Sequence, residues 1–211
     1  KGADVIELPN IAINGISPKT KIEGLTLVNS IKNGDFSNGR SSWIANTSNV
    51  SVVKTNNDVN IKSTTPQDGY AQKIVASIND LMYISAVLVP NNVRLGFGQG
   101  SESMFFTTNE RTDFEHSSKV VSYTGASNLF FIRGYAGFGT VDIKLKYAQL
   151  INLTQMFGKG NEPTKEWCDR HIKGYIDGMQ SIQTPLRVKS IGENKFSFNN
   201  IHAFSNANLG L

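Results

Sequence analysis

Thr140-Val141-Asp142-Ile143-Lys144-Leu145-Lys146-Tyr147-Ala148-Gln149-Leu150-Ile151 is the stretch whose reading decides the fold of this chain. Through Tyr147, apolar and charged residues alternate with a period of two. Successive side chains of a β-strand point to opposite faces. Val141, Ile143, Leu145 and Tyr147 therefore share one face, and Asp142, Lys144 and Lys146 share the other. One wall meets a core and the other meets water, as in an antiparallel sheet with one solvated side. Two more runs, Leu81–Pro90 and Leu129–Ala136, are apolar on both faces, as strands central to a sandwich would be.

Outward from these runs the β signal continues. Further strands are predicted at Leu25–Ile31, Asn49–Lys54, Val59–Lys62, Tyr70–Ser77, Val93–Phe97, Ser103–Thr107 and Lys119–Tyr123. Turn residues separate them, among them Asn33-Gly34, Asn38-Gly39, Asp68-Gly69, Asn91-Asn92 and Thr124-Gly125. Short strands at regular spacing indicate an all-β sandwich or barrel. Four segments follow: an extended arm over residues 1–24, a β-sandwich over 25–152, a glycine-rich loop with a short docked helix over 153–177, and a β-rich tail over 178–211. In the arm, Val5–Leu8 and Ile11–Ile13 are too short to fold alone and call for a partner, either the main domain or a second copy of the chain. In the tail, Leu186–Asn194 alternates, and Phe196 and Phe198 continue the pattern. The chain opens without Met and in mid-pattern, as a piece of a longer protein would.

The helix has its own punctuation. Gly158 and Gly160 break the chain, Asn161 is placed to cap, Glu162 puts negative charge at a helix start and Pro163 suits a first turn. A helix is predicted from Pro163 to Lys173, stopped by Gly174 and pinned to the sandwich by Trp167, with Cys168 and Ile172 beside it.

Composition narrows the function. Charged residues are 18% of the 211, below the usual quarter, and Asn, Ser, Thr and Gly take their place. Such surfaces suit turn-rich extracellular or virion proteins. The net charge of +4 comes from 21 basic and 17 acidic residues, with no dense basic stripe, which argues against nucleic acid. One cysteine, Cys168, forbids an intramolecular disulfide, as suits assembly in a bacterial cytoplasm. No apolar run approaches the length of a membrane span, so no membrane insertion is expected.

Two resemblances add to this reading. Leu153, Thr154, Phe157, Gly158, Gly160, Asn161, Glu162, Pro163 and Thr164 make a string similar to one in minor structural and tail-tip (tail fibre) proteins of tailed bacteriophages. The likeness implies a virion protein, made in the host bacterium, with other tail proteins as partners. Asn33-Gly34-Asp35-Phe36-Ser37-Asn38-Gly39, followed by Trp43, resembles the opening of jelly-roll carbohydrate-binding modules. That likeness implies a jelly roll with Trp43 in its core. It also implies a structural calcium between the first loop and the last strand, where Asp35 and Asp142 fall. Calcium takes six or more oxygens, so backbone carbonyls would have to complete the set.

Candidate chemistry follows. Sugar sites combine aromatic platforms with planar polar side chains. Phe131, Arg133 and Tyr135 alternate and so share a strand face; Arg94 and Tyr83 are further candidates, with Tyr70, Tyr123, Phe138 and Gln99 in reserve. For catalysis little is offered. His116, His171 and His202 stand apart in sequence, and Gly96-x-Gly98-x-Gly100 joins two β runs rather than opening a helix. The expectation is a non-catalytic phage tail component that binds host-surface glycan or cell-wall polymer. A ligand-free spacer or oligomerisation module is the alternative, and a glycan-cleaving enzyme is a third.

Overall fold

In a computed structural model of the chain, residues 6–7, 19–56, 58–98, 100–107, 111–135 and 139–191 are described, and for 6–7, 19–25 and 180–191 the backbone alone. The strands are β1 (Ile6–Glu7), β2 (Lys19–Val28), β3 (Ile44–Ala45), β4 (Ser51–Thr55), β5 (Asp58–Ser63), β6 (Gly69–Lys73) and β7 (Leu81–Leu88). They continue as β8 (Val93–Gly96), β9 (Ser103–Phe106), β10 (Glu115–Ser122), β11 (Leu129–Gly134), β12 (Val141–Asn152) and β13 (Met179–Ile191). The helices are α1 (Leu153–Phe157) and α2 (Lys165–His171).

Two five-stranded antiparallel sheets form the sandwich, in the orders β10-β7-β12-β5-β4 and β3-β6-β11-β8-β9. The pairs nest: β8 with β9, β7 with β10, β6 with β11 and β5 with β12. A long antiparallel hairpin wound over two sheets in this way is a jelly roll. By contacts the chain divides into Leu25–Ile182, which holds the sandwich, and residues 1–24 with 183–211. A separate three-stranded sheet has the order β1-β2-β13. β2 begins at Lys19, inside the stretch expected to be an arm, and β13 begins at Met179, well before Leu186. Phe196, Phe198 and the run Ile11–Ile13 lie outside the described residues.

The inward faces of the two sheets make one core, in which Ile61, Ile84, Leu88, Leu95, Phe130, Ile132 and Leu145 are fully buried. Trp43 joins it as expected, stacked on Phe36 with ring centroids 4.9 Å apart and its indole N–H donating to the Asn33 carbonyl at 2.9 Å. The Asn-Gly opening has a packing cause. Gly34 accepts from the Ala148 N–H through its carbonyl, and its N–H donates to the Tyr175 hydroxyl at 2.7 Å. A Cβ on Gly34 would lie 2.0 Å from the Ala148 carbonyl oxygen.

β12 departs from simple alternation. Val141, Ile143 and Leu145 face the core, and the register then shifts between Leu145 and Tyr147. This bulge reverses the parity, because one extra residue turns the following side chains over. Ala148 and Leu150 now face the core, and Tyr147, predicted to share the inner face, turns outward against Tyr175. The outer side of this half is also covered. Ile151, Tyr83, Leu27, Leu153, Cys168, Ile172 and Ile176 form a second buried cluster, flanked by Trp167, Phe157 and Met156.

The predicted helix is present as α2, and a further short helix, α1, precedes it. Asn152 caps α1 by accepting from the Gln155 N–H, and Thr164, rather than Asn161, caps α2 by accepting from the Trp167 N–H. α2 starts at Lys165 because Glu162 is engaged elsewhere: its carboxylate accepts from the Thr154 hydroxyl at 2.7 Å and the Gly160 N–H at 2.6 Å. Thr154 in turn accepts from the Leu81 N–H. Cys168 and Ile172 are the buried anchors of α2, and Trp167 is half-exposed, edge-on to Phe157 and stacked on His171. The string Leu153–Thr164 is thus spent on caps, left-handed turns at Gly158 and Gly160, and internal hydrogen bonds.

Gly34→Ala should destabilise the protein by about 1–3 kcal/mol, the usual cost of forcing atoms into a filled space. Urea denaturation followed by tryptophan fluorescence measures it; an unchanged midpoint would show that the turn can leave β12 freely.

Candidate functional site

The outward face of the β3-β6-β11-β8-β9 sheet carries the arginine and aromatic cluster. Phe130 and Ile132 of β11 point into the core, so Phe131 and Arg133 point out. Register brings the partners alongside. Arg133 stands opposite Arg94 on β8 and Gly69 on β6; Phe131 stands opposite Gly96 and Ala71; Arg94 stands opposite Phe105 on β9. Small residues therefore flank Phe131 on both sides, and the arginine side chains occupy the space above its ring. The Arg133 guanidinium carbon is 4.2 Å from the ring centroid, and that of Arg94 is 4.7 Å away and 5.0 Å from the Phe105 ring. Tyr135 meets Phe105 edge to face at 5.6 Å and is held through its N–H by the Asn92 side chain at 3.1 Å.

The electrostatics of this cluster are unbalanced. Arg94 is 4% exposed and neither arginine forms an ion pair among the described residues. Arg94 Nε and Nη2 and Arg133 Nε are buried without a hydrogen-bond partner. Burial, and then the like charge of Arg133, hold the Arg94 guanidinium down at about 10, which leaves it charged at neutral pH. Burial also lowers Arg133. Beside them is a cleft of about 250 Å³, lined by Asn46, Ala71, Gly98, Ser127, Leu129, Phe131 and Arg133.

Four of the five residues expected to bind ligand, Phe131, Arg133, Tyr135 and Arg94, come together here. Tyr83 does not. It lies on β7 of the other sheet, fully buried under α2, with its hydroxyl donating to Asp169 at 2.8 Å. β7 buries both faces once the helices cover it, so its outward position gave Tyr83 no access to solvent. Phe105 was not foreseen, because Met104-Phe105-Phe106 is apolar throughout and no alternation tells which ring faces out. Tyr70 and Tyr123 are core residues; Phe138 and Gln99 lie outside the described residues.

Of the two carboxylates expected at a calcium site, Asp35 pairs with Lys54 at 3.3 Å and Asp142 faces Lys62 at 3.8 Å. No group of three or more His, Cys, Asp or Glu converges among the described residues.

The buried carboxylates Asp68, Asp80 and Glu102 are committed to the fold. Asp68 accepts from Thr47 and Ser63 hydroxyls, Asp80 from the Asn152 amide and Ser77 N–H, and Glu102 from the Thr124 N–H. His116 is not alone, since its Nε2 lies 3.1 Å from Ser85 Oγ, but Ser85 is fully buried and out of reach of a substrate. Burial pushes the Cys168 thiol up to about 12, far from a nucleophilic thiolate. No helix among the described residues is long and apolar enough to cross a membrane.

No family model matches the chain, and no curated protein matches it. Among solved structures it is similar to the enzymatically active domain of tailspike protein 4 of bacteriophage CBA120, at 15% identity and TM-score 0.40, over 58% of this chain and 21% of that one. It is also similar to an arabinose-bound α-L-arabinofuranosidase, MgGH51, at 14% identity and TM-score 0.40, over 69% of this chain and 29% of that one. The CBM22-1 xylan-binding domain of Paenibacillus barcinonensis Xyn10C matches at 12% identity and TM-score 0.37, over 72% of this chain and 97% of that one. The chain thus spans under a third of the first two proteins. At these scores the β-sandwich assignment stands on the strand order itself.

The lock under α2 has a pH signature. Asp169 would be raised by burial, yet hydrogen bonds from Lys165, Ser118 and Tyr83 outweigh this and hold it at about 2. A carboxyl depressed on folding adds stability above its unfolded value of about 3.9, and that stability is lost as pH falls towards 2. The loss should be on the order of 1–2 kcal/mol once solvent screening is allowed for. Urea melts of wild type and Asp169→Asn between pH 5 and pH 2 test this. The variant should show a shallower acid loss, and parallel curves would contradict it.

Proposed function

We propose that this chain is a non-catalytic component of a bacteriophage tail whose β11–β8 face binds glycan on the host surface. One observation carries the reading: in an outward cluster of Phe131, Phe105, Tyr135, Arg94 and Arg133, Phe131 and Arg133 line a cleft with Asn46 and Ser127. Aromatic rings offer apolar faces to sugar rings, and guanidinium, amide and hydroxyl groups suit sugar hydroxyls. The helices pack on β7 and β10 of the other sheet and cover that part of it, while the β11 face carries no helix. The non-catalytic part rests on the buried carboxylates Asp68, Asp80 and Glu102 being bound up in structural hydrogen bonds. The tail assignment rests on the string Leu153–Thr164 and its resemblance to tail proteins.

A glycan array and pull-down with host envelope test the binding. Wild type should retain a glycan that Arg133→Ala and Tyr135→Ala bind at least about tenfold more weakly, the loss of one good contact. Equal binding by all three proteins would place the ligand elsewhere. Absence of any glycan would leave the spacer reading, which predicts a stable oligomer in solution that is lost when residues 1–24 are removed.

A further inference from the structure

Two guanidinium groups share one aromatic ring on the outer face of β11 and β8, and no carboxylate among the described residues answers them. Stacking on Phe131 and Phe105 satisfies their flat faces. It leaves the N–H edges unserved: Arg94 Nε and Nη2 and Arg133 Nε are buried and unbonded. Buried charged donors without acceptors are costly, and like charges side by side add to the cost. A neutral sugar could accept some of these hydrogen bonds but would leave both positive charges uncompensated. An oxyanion answers both needs, since a carboxylate or phosphate accepts paired N–H bonds from a guanidinium fork and cancels charge.

We propose that the saccharide held at this face is acidic, and that its carboxylate or phosphate group is bound by Arg133, which lines the cleft, with the charge of the buried Arg94 beside it adding to the attraction. The inference rests on the glycan-binding reading above. The sugar ring carrying the acid would lie along the Phe131 side of the cleft, and Asn46 and Ser127 would take its hydroxyls. Gly69 contributes by closeness: a Cβ there would lie 2.6 Å from the Arg133 Cα, so its absence lets β6 run tight beside the arginine.

Isothermal titration against three probes of matched length tests this. They are an oligogalacturonate, a glucosylated poly(glycerol phosphate) and a neutral galacto-oligosaccharide. At least one acidic probe should bind about tenfold or more tightly than the neutral one, weaken as salt rises, and lose about tenfold in affinity with Arg133→Gln. Whichever acidic probe binds identifies carboxylate or phosphate as the source. Arg133→Lys, which keeps the charge but not the fork, should recover only part of the loss. Arg94→Gln, which removes the neighbouring charge, should weaken binding in the same direction but by less than Arg133→Gln; because Arg94 is buried, its melting curve is checked first, and the Arg133 pair carries the test if it fails to fold. Lys144→Gln, on the outer side of the opposite sheet, should leave affinity unchanged.

Neutral and acidic probes binding alike would overturn the acidic inference and leave the glycan reading standing. Equal losses in Lys144→Gln and Arg133→Gln would mark diffuse charge attraction and overturn it too. Silence from all three probes would overturn both readings.

Discussion

β12 must bury one face along its first half and both faces along its second, and the rest of the molecule is arranged around that constraint. Before the bulge, Asp142, Lys144 and Lys146 face water while Val141, Ile143 and Leu145 line the core. After it, Ala148 and Leu150 take over the core side and Gln149 and Ile151 need cover of their own. That cover is the segment following the strand. Gln149 donates to the Gly174 carbonyl and accepts from the Ile176 N–H, and Ile151 is sealed by Leu153, Cys168 and Ile172. An uncovered Gln149 amide and Ile151 side chain would oppose folding from opposite directions, one by lost hydrogen bonds and one by exposed apolar area. Cap, loop and helix follow β12 immediately because no other part of the chain is so close.

This arrangement decides which parts of the sandwich surface are covered. Both helices lie on the β10-β7-β12 side, so Tyr83, a plausible sugar platform by residue type, becomes a buried strut hydrogen-bonded to Asp169. The opposite sheet keeps its outer side for the arginine cluster. Cation–π stacking there contributes roughly 0.5–2 kcal/mol per pair. Each unserved charged donor costs about as much or more. The cluster is therefore not a stabilising device for the sandwich by itself. Sites that sacrifice local stability in this way are commonly functional.

The fold was legible where periodicity was clean. Val141–Leu145 alternates strictly, and the turn pairs Asn33-Gly34 and Asp68-Gly69 mark chain reversals. The bulge was not legible, because Lys146-Tyr147-Ala148 carries no glycine and only cross-strand pairing with β7 reveals the extra residue. The short helix α1 was missed since five residues, Leu153–Phe157, give too little span for a helical period. Asn161 looked like the cap because Pro163 follows it, yet Glu162 is tied back to Thr154 and the helix waits for Thr164. At the site, alternation in β11 correctly put Phe131 and Arg133 on one face. The neighbours Phe105 and Arg94 depend on strand order, which one sequence does not state.

The proposed binding surface centres on the paired guanidiniums of Arg94 and Arg133. Arginine Nε–Hε resonances in a heteronuclear NMR titration with an acidic oligosaccharide address it directly. The signals of Arg94 and Arg133 should move, while those of Arg40, Arg111, Arg170 and Arg187 stay in place. Movement confined to those other four, with Arg94 and Arg133 unchanged at saturating oligosaccharide, would contradict this.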